Sequence, residues 1–214
     1  MSRKHGQPFQ PANCRRCGLC CRKGGPCLHF EDRELVERGA ILLSDLFTIR
    51  RGEPARDNIG DRVVCVKEDI IKIRSRPFTT TCLFFREKDH ACAVYSSRPL
   101  ECRKLQCWDT KAIADVYDTG RLQRQDLLEE KPELLAATAA HQEICDYGRI
   151  GRLARDRNMT ELAYLVRYDM AYRDLVVEKK LADDSLLAFL FGYPLKATIK
   201  RFGIALADQA LEAG

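Results

Sequence analysis

The sequence lacks several features that would have fixed a function early. No apolar run of signal-peptide length occupies Met1 to Pro11, where Arg3, Lys4 and Gln7 keep the segment polar. No stretch approaches the eighteen or so uninterrupted apolar residues of a membrane span, and the best candidate, Leu186 to Phe191, is far too short. These two absences lead to the expectation of a cytoplasmic protein without membrane association, whose thiols stay reduced. Glycine-rich phosphate loops, H-E-x-x-H, a G-x-S-x-G nucleophile elbow and C-x-x-C-H are also missing, so nothing in the sequence points to a named reaction or to attached haem. Acidic residues are absent from Met1 to Phe30, where Arg3, Lys4, Arg15, Arg16, Arg22 and Lys23 stand alone.

Cysteine, by contrast, is abundant. The 214 residues include 11 cysteines and only 4 histidines, with 45% hydrophobic content and a net charge of +5. That hydrophobic content can build a core. The mild net charge is weak support for a nucleic-acid partner, and aromatic residues are not interleaved with the basic start. Cations beside cysteines instead favour thiolate, the form that binds metal.

Ten of the cysteines lie between Cys14 and Cys107, and only Cys145 lies beyond. The pattern predicts an α+β fold: a small irregular cysteine-rich half with short strands over residues 1–110, then a mainly helical region over 111–214 packed on the first. Helices are expected at Glu31 to Arg38 and Leu43 to Arg50, with a turn region at Gly52 to Gly60. Strands are expected at Arg62 to Val66 and Ile70 to Arg74, where β-branched residues concentrate. Cys82 to Phe85 and Ala91 to Tyr95 read as a small hairpin. Beyond Trp108, helices are expected near Asp109 to Tyr117, Pro132 to Cys145, Thr160 to Lys180 and Ser185 to Phe191. In the longest, Leu162, Leu165, Val166, Met170, Tyr172, Val176 and Val177 recur at helical spacing as a packing face, with Asn158 and Glu161 at its capping position.

The first cysteine group is Cys14, Cys17, Cys20 and Cys21, in C-x-x-C-G-x-C-C. Two C-x-x-C steps aim several sulfurs at one point, and Gly18 lets the backbone bend where a side chain would crowd it. Adjacent Cys20 and Cys21 point apart from an extended backbone, so both bind one centre only if a turn separates them. The second group is Cys82, Cys92, Cys102 and Cys107, whose looser spacing does not identify a metal. Around it, Arg98, Arg103 and Lys104 can donate to thiolates, while Leu83, Phe84, Phe85, Tyr95 and Trp108 can exclude water. Packing is the expected role of Cys27, Cys65 and Cys145. His29 and His90 are minor zinc candidates, His5 and His141 lesser ones.

C-R-R-C-G-L-C-C, then C-L-F-F, then C-A-V-Y-S-S-R-P-L-E-C-R, resembles the YkgJ-type cysteine-cluster family, described as a zinc- or iron-chelating domain. The resemblance covers roughly Cys14 to Cys107. It implies a metal site on Cys14, Cys17, Cys20, Cys21, Cys82, Cys92, Cys102 and Cys107. Related clusters occur in flagellin lysine N-methylases, which keeps a metal-dependent enzyme, redox or lysine methylase-like, as an alternative; a nucleic-acid-binding module is a remoter one. Iron-sulfur clusters and zinc both accept thiolates. The crowding of Cys14 to Cys21 favours iron-sulfur over the separated knuckles of zinc ribbons.

Overall fold

The computed structural model describes Cys14 and residues 16–207, so Arg3, Lys4, His5 and Arg15 lie outside the described residues. The architecture is α+β, with short antiparallel strand pairs in the first half and mostly helices after residue 100. The strands are β1 (Leu46–Ile49), β2 (Pro54–Asp57), β3 (Arg62–Cys65), β4 (Ile70–Ile73), β5 (Phe85–Arg86) and β6 (Ala91–Cys92). The helices are α1 (Arg33–Glu37), α2 (Leu100–Lys104), α3 (Lys111–Ala114), α4 (Arg124–Leu127), α5 (Pro132–Ile144), α6 (Tyr147–Arg155), α7 (Met159–Glu178), α8 (Leu187–Phe191) and α9 (Leu195–Thr198).

β1 pairs with β4 in the register Leu46↔Ile73 and Thr48↔Ile71. On β4's other edge Cys27 bridges Lys72, through Leu28 N–H to Ile71 O at 2.9 Å and Ile73 N–H to Pro26 O at 3.1 Å. Leu122 N–H then reaches Leu28 O at 3.1 Å, which extends the strip by one more segment. Leu28, Leu46, Ile71, Ile73 and Leu122 pack from this strip into a core shared with Phe189, Leu190 and Phe191 of α8. The Thr48 hydroxyl donates to Phe189 O at 2.6 Å and fixes α8 on the strands.

Two expectations are corrected here. Leu43 to Arg50 is not a helix: a single turn at Leu43–Asp45 leads into β1. Leu46 and Thr48 alternate inward, and four residues paired along β4 satisfy backbone groups that a short helix would leave open at its ends. Gly52 to Gly60 is not only a turn, because β2 lies within it and pairs with β3. β3 is the outer strand of that hairpin, with Val63 69% exposed. Cys65 at its end is therefore exposed and not the core residue its valine neighbours imply.

α5, α7 and α8 fall close to their expected positions. The Asn158 side chain accepts from Glu161 N–H at 3.1 Å and starts α7. Leu162, Leu165, Val166 and Val176 are buried as expected. Met170 is not, at 40% exposed. Asp169 and Arg173 occupy that stretch of the buried face instead. Asp109 to Tyr117 contracts to the four residues of α3.

Candidate metal centre

The first cysteine group is shaped by backbone conformations that few residues accept. Arg16 has φ 55° and Gly18 φ 76°. A Cβ on Gly18 would overlap Phe85 Cζ, so any other residue would force the Phe85 ring to shift. Arg22 N–H bonds Gly18 O at 3.0 Å and Lys23 N–H bonds Cys20 O at 3.1 Å, which winds Cys21–Lys23 into a single helical turn. The turn brings the Cys20 and Cys21 sulfurs to 4.0 Å. Two thiolates on one tetrahedral zinc lie about 3.8 Å apart, given Zn–S bonds of about 2.3 Å. The adjacent cysteines thus meet the condition that the sequence leaves open.

The second group is attached to this turn. Cys82 N–H donates to Cys21 O at 2.7 Å. The chain turns through Phe85, and β5–β6 pairing sets Cys92 opposite Phe85. α2 carries Cys102 and is stapled to the segment behind the first group. Glu101 accepts from Cys27 N–H at 2.7 Å and faces His29 Nε2 at 3.4 Å. Asp32 accepts from Leu100 N–H at 2.8 Å and from His29 N–H at 3.0 Å. Cys20, Cys21, Cys82, Cys92 and Cys102 consequently lie near enough for their charges to act on one another. Cys14, Cys17 and Cys107 are solvent-exposed.

The electrostatics fit a site that waits for a cation. The Cys21 thiol hydrogen-bonds Cys20 and lowers its pKa to about 6, against opposition from burial. The same bond, then burial and the neighbouring sulfurs, push Cys21 up. Burial raises Cys82, Cys92 and Cys102, and further thiolates nearby add to the effect. One thiolate is easily held here and the next ones are costly until positive charge arrives. Arg98 favours thiolate at Cys20 and Cys92. Its guanidinium lies 3.8 Å from the centroid of Tyr95, and that of Arg16 lies 4.2 Å from it.

A family model for the CxxCxxCC domain, "putative zinc- or iron-chelating domain", matches residues 13–146. The chain belongs to the CxxCxxCC family. That match spans more than half of the sequence and contains every cysteine. No curated protein and no solved structure matches the chain. Among the described residues, no helix is long and apolar enough to cross a membrane.

The CxxCxxCC domain contains part of a second group that composition alone does not reveal. One ligand atom each from His141, Cys145 and Asp169 lies within 4.8 Å of the others, and the three could hold a metal ion. Among the described residues this is the one set of three gathered so closely, so an ion would still have to draw the clustered cysteine sulfurs inward. The local bonding argues for a structural network at His141. Its Nε2 lies 2.7 Å from Asp169 Oδ1 and its Nδ1 lies 3.3 Å from Arg50 Nη1. The fitting tautomer is neutral, donating from Nε2 and accepting at Nδ1. Arg173 Nε also donates to Asp169 Oδ1 at 3.0 Å. A cation placed there would meet two buried guanidiniums.

Sequence reasoning missed the residues that position the cysteines. His29, considered as a zinc ligand, is buried between Thr119 O at 2.8 Å and Glu101. Arg103, considered as a donor to thiolates, faces Asp32 at 3.7 Å. No local signal singles out Asp32 and Glu101, because Glu31, Glu34, Glu37 and eight further acidic residues lie in the same Cys14–Cys107 stretch.

Proposed function

We propose that this protein holds a thiolate-ligated metal centre to which both cysteine groups contribute. Cys20, Cys21, Cys82, Cys92 and Cys102 form its nucleus, and Cys14, Cys17 and Cys107 are the remaining candidate ligands. The observation that carries this reading is the bond from Cys82 N–H to Cys21 O, which joins the two groups at their most buried thiols. The donor set fits zinc or iron. Five neighbouring thiols exceed the four of a single tetrahedral ion, which favours an iron-sulfur cluster or a second ion over one zinc. Free thiols of this number suit a reducing compartment such as the cytoplasm.

Metal and acid-labile sulfide analysis of anaerobically purified protein, together with its absorption spectrum, tests the proposal. Bound iron with sulfide, or bound zinc, is expected. Cys20→Ser and Cys102→Ser should each lower metal content, while Cys65→Ser should leave it unchanged. Neither metal being present after reconstitution would overturn the proposal, and so would full retention of metal in both ligand variants.

A further inference from the structure

Outside the thiol cluster, one cysteine is pressed against an amine. Cys27 and Lys72 are cross-strand partners in an antiparallel bridge. The bridge is held on both sides by the Leu28–Ile71 and Ile73–Pro26 backbone bonds. Lys72 Nζ lies 3.5 Å from Cys27 Sγ. Cross-strand side chains share a face of the pleat, so the register places the two side chains side by side and the lysine stem carries its amine to the sulfur. Gly25 is required for this approach, since a Cβ there would run into the Ile73 carbonyl. Lys72 is half-buried, while Cys27 is shielded, at 5% exposed. Its N–H is taken by Glu101, whose charge, with that of Tyr117, also acts on Lys72.

We propose that Cys27 and Lys72 form an oxygen-bridged sulfur–nitrogen cross-link under oxidation, making this bridge a reversible redox modification site. Dioxygen is the oxidant. The S–H bond and two N–H bonds of the ammonium break, and one S–O and one N–O bond form. One oxygen atom enters the bridge and the other leaves as water, with one proton released to solvent. Sulfur and nitrogen each give up two electrons, the four that dioxygen accepts. Exposed thiols such as Cys14, Cys17 and Cys20 have the alternative fates of sulfenic acid and disulfide. Cys27, enclosed, has Lys72 as its neighbour. Bridging also removes the ammonium charge from beside Glu101, whose carboxylate ties α2 to the Cys27 segment. The inference goes beyond the metal reading and stands without it.

The test compares full-length protein kept anoxic with protein exposed to air-saturated buffer, each digested and read by peptide mass spectrometry. Air exposure should produce a joined pair of peptides carrying Cys27 and Lys72, heavier than their sum by one oxygen less two hydrogens. Dithiothreitol should separate them. Lys72→Arg and Cys27→Ser should each abolish the joined species, with native circular dichroism showing that the fold survives. Unmodified Cys27 after air exposure, or Cys27 recovered as sulfenic acid, sulfinic acid or disulfide with Lys72 free, would overturn the proposal.

Discussion

Gly18 shows what one residue contributes to the candidate centre. The C-x-x-C-G-x-C-C spacing already indicates that the backbone bends there, but the partner it bends against is sequence-distant Phe85 and appears only in the fold. The same divide separates Cys20 and Cys21, whose need of a turn to bring their sulfurs together is legible from the sequence, from Cys65. Val63 and Val64 precede Cys65 on the mostly exposed strand β3 whereas Val66 after it is buried, and no local pattern distinguishes the first two valines from the buried one. Gly18→Ala should therefore act on the site more than its size implies. A left-handed backbone costs a non-glycine residue about 1–2 kcal/mol, and Phe85 must shift in addition. Metal transfer to a competing chelator should be roughly 5- to 30-fold more favourable than in the unmodified protein, by the same energy. Unchanged transfer, measured at equilibrium, would separate the Gly18 turn from the centre.

Among the elements, α7 was the most legible and still contained the largest surprise. Its start, length and apolar stripe follow from helical periodicity and the Asn158 cap. Asp169 and Arg173 on the buried face do not, because charged residues read as solvent-facing until their partners are known. Asp169 is met by His141 on α5 and by the N–H of Leu195 on α9, which donates to it at 2.8 Å, and Arg173 donates to the carbonyls of Phe191 and Gly192 at the end of α8, each at 3.1 Å. Asp169→Ala leaves the Arg173 guanidinium buried without its carboxylate and should destabilise the fold by about 3–5 kcal/mol, read from denaturant unfolding. A loss below about 1 kcal/mol, the scale of an exposed pair, would mean that the network is solvated.

The network also sets a direction with pH. Burial, then the neighbouring Arg50, hold the folded His141 pKa below 6.5 despite the Asp169 carboxylate. Burial pushes Asp169 upward, but His141, Arg173 and the Leu195 N–H together hold it below 3.8. As pH falls past 6.5 the unfolded chain takes up the histidine proton before the folded one does, so stability declines from there down to the folded His141 value. A second decline begins below 3.8, when Asp169 would be protonated in the unfolded chain and still ionised in the folded one. Against burial, Glu101 and the Thr119 carbonyl hold His29 above 6.5, so its contribution grows with acidity over the same range. In urea unfolding between pH 7 and pH 5, His141→Gln should therefore remove the falling component, leaving stability less diminished by acid than in the unmodified protein. An unchanged slope in the variant would assign the acid sensitivity elsewhere.

At the scale of the whole molecule, apolar packing is distributed unevenly. β1, β4 and α8 share one large apolar core, and α6, α7 and α9 meet in a second around Ile150, Leu162, Leu165 and Leu195. The cysteine-bearing loops contribute little to either, chiefly Cys82 with the partly buried Cys21, Leu83 and Phe84 at the edge of the first. The sequence reads as a cysteine-rich half of short elements, but β4 is firmly packed inside that half because Ile71 and Ile73 are buried in the core shared with α8. Metal ligation adds folding free energy where packing is thin. Removing metal with a chelator should raise amide hydrogen exchange in residues 16–23 and 82–107, with β4, α5 and α7 keeping their protection. The response should therefore skip the 70–73 segment that lies between the two loops in sequence. Equal loss of protection in β4 and α7 would show that ligation supports the entire fold, while no change in either cysteine loop would remove the centre from the account of stability.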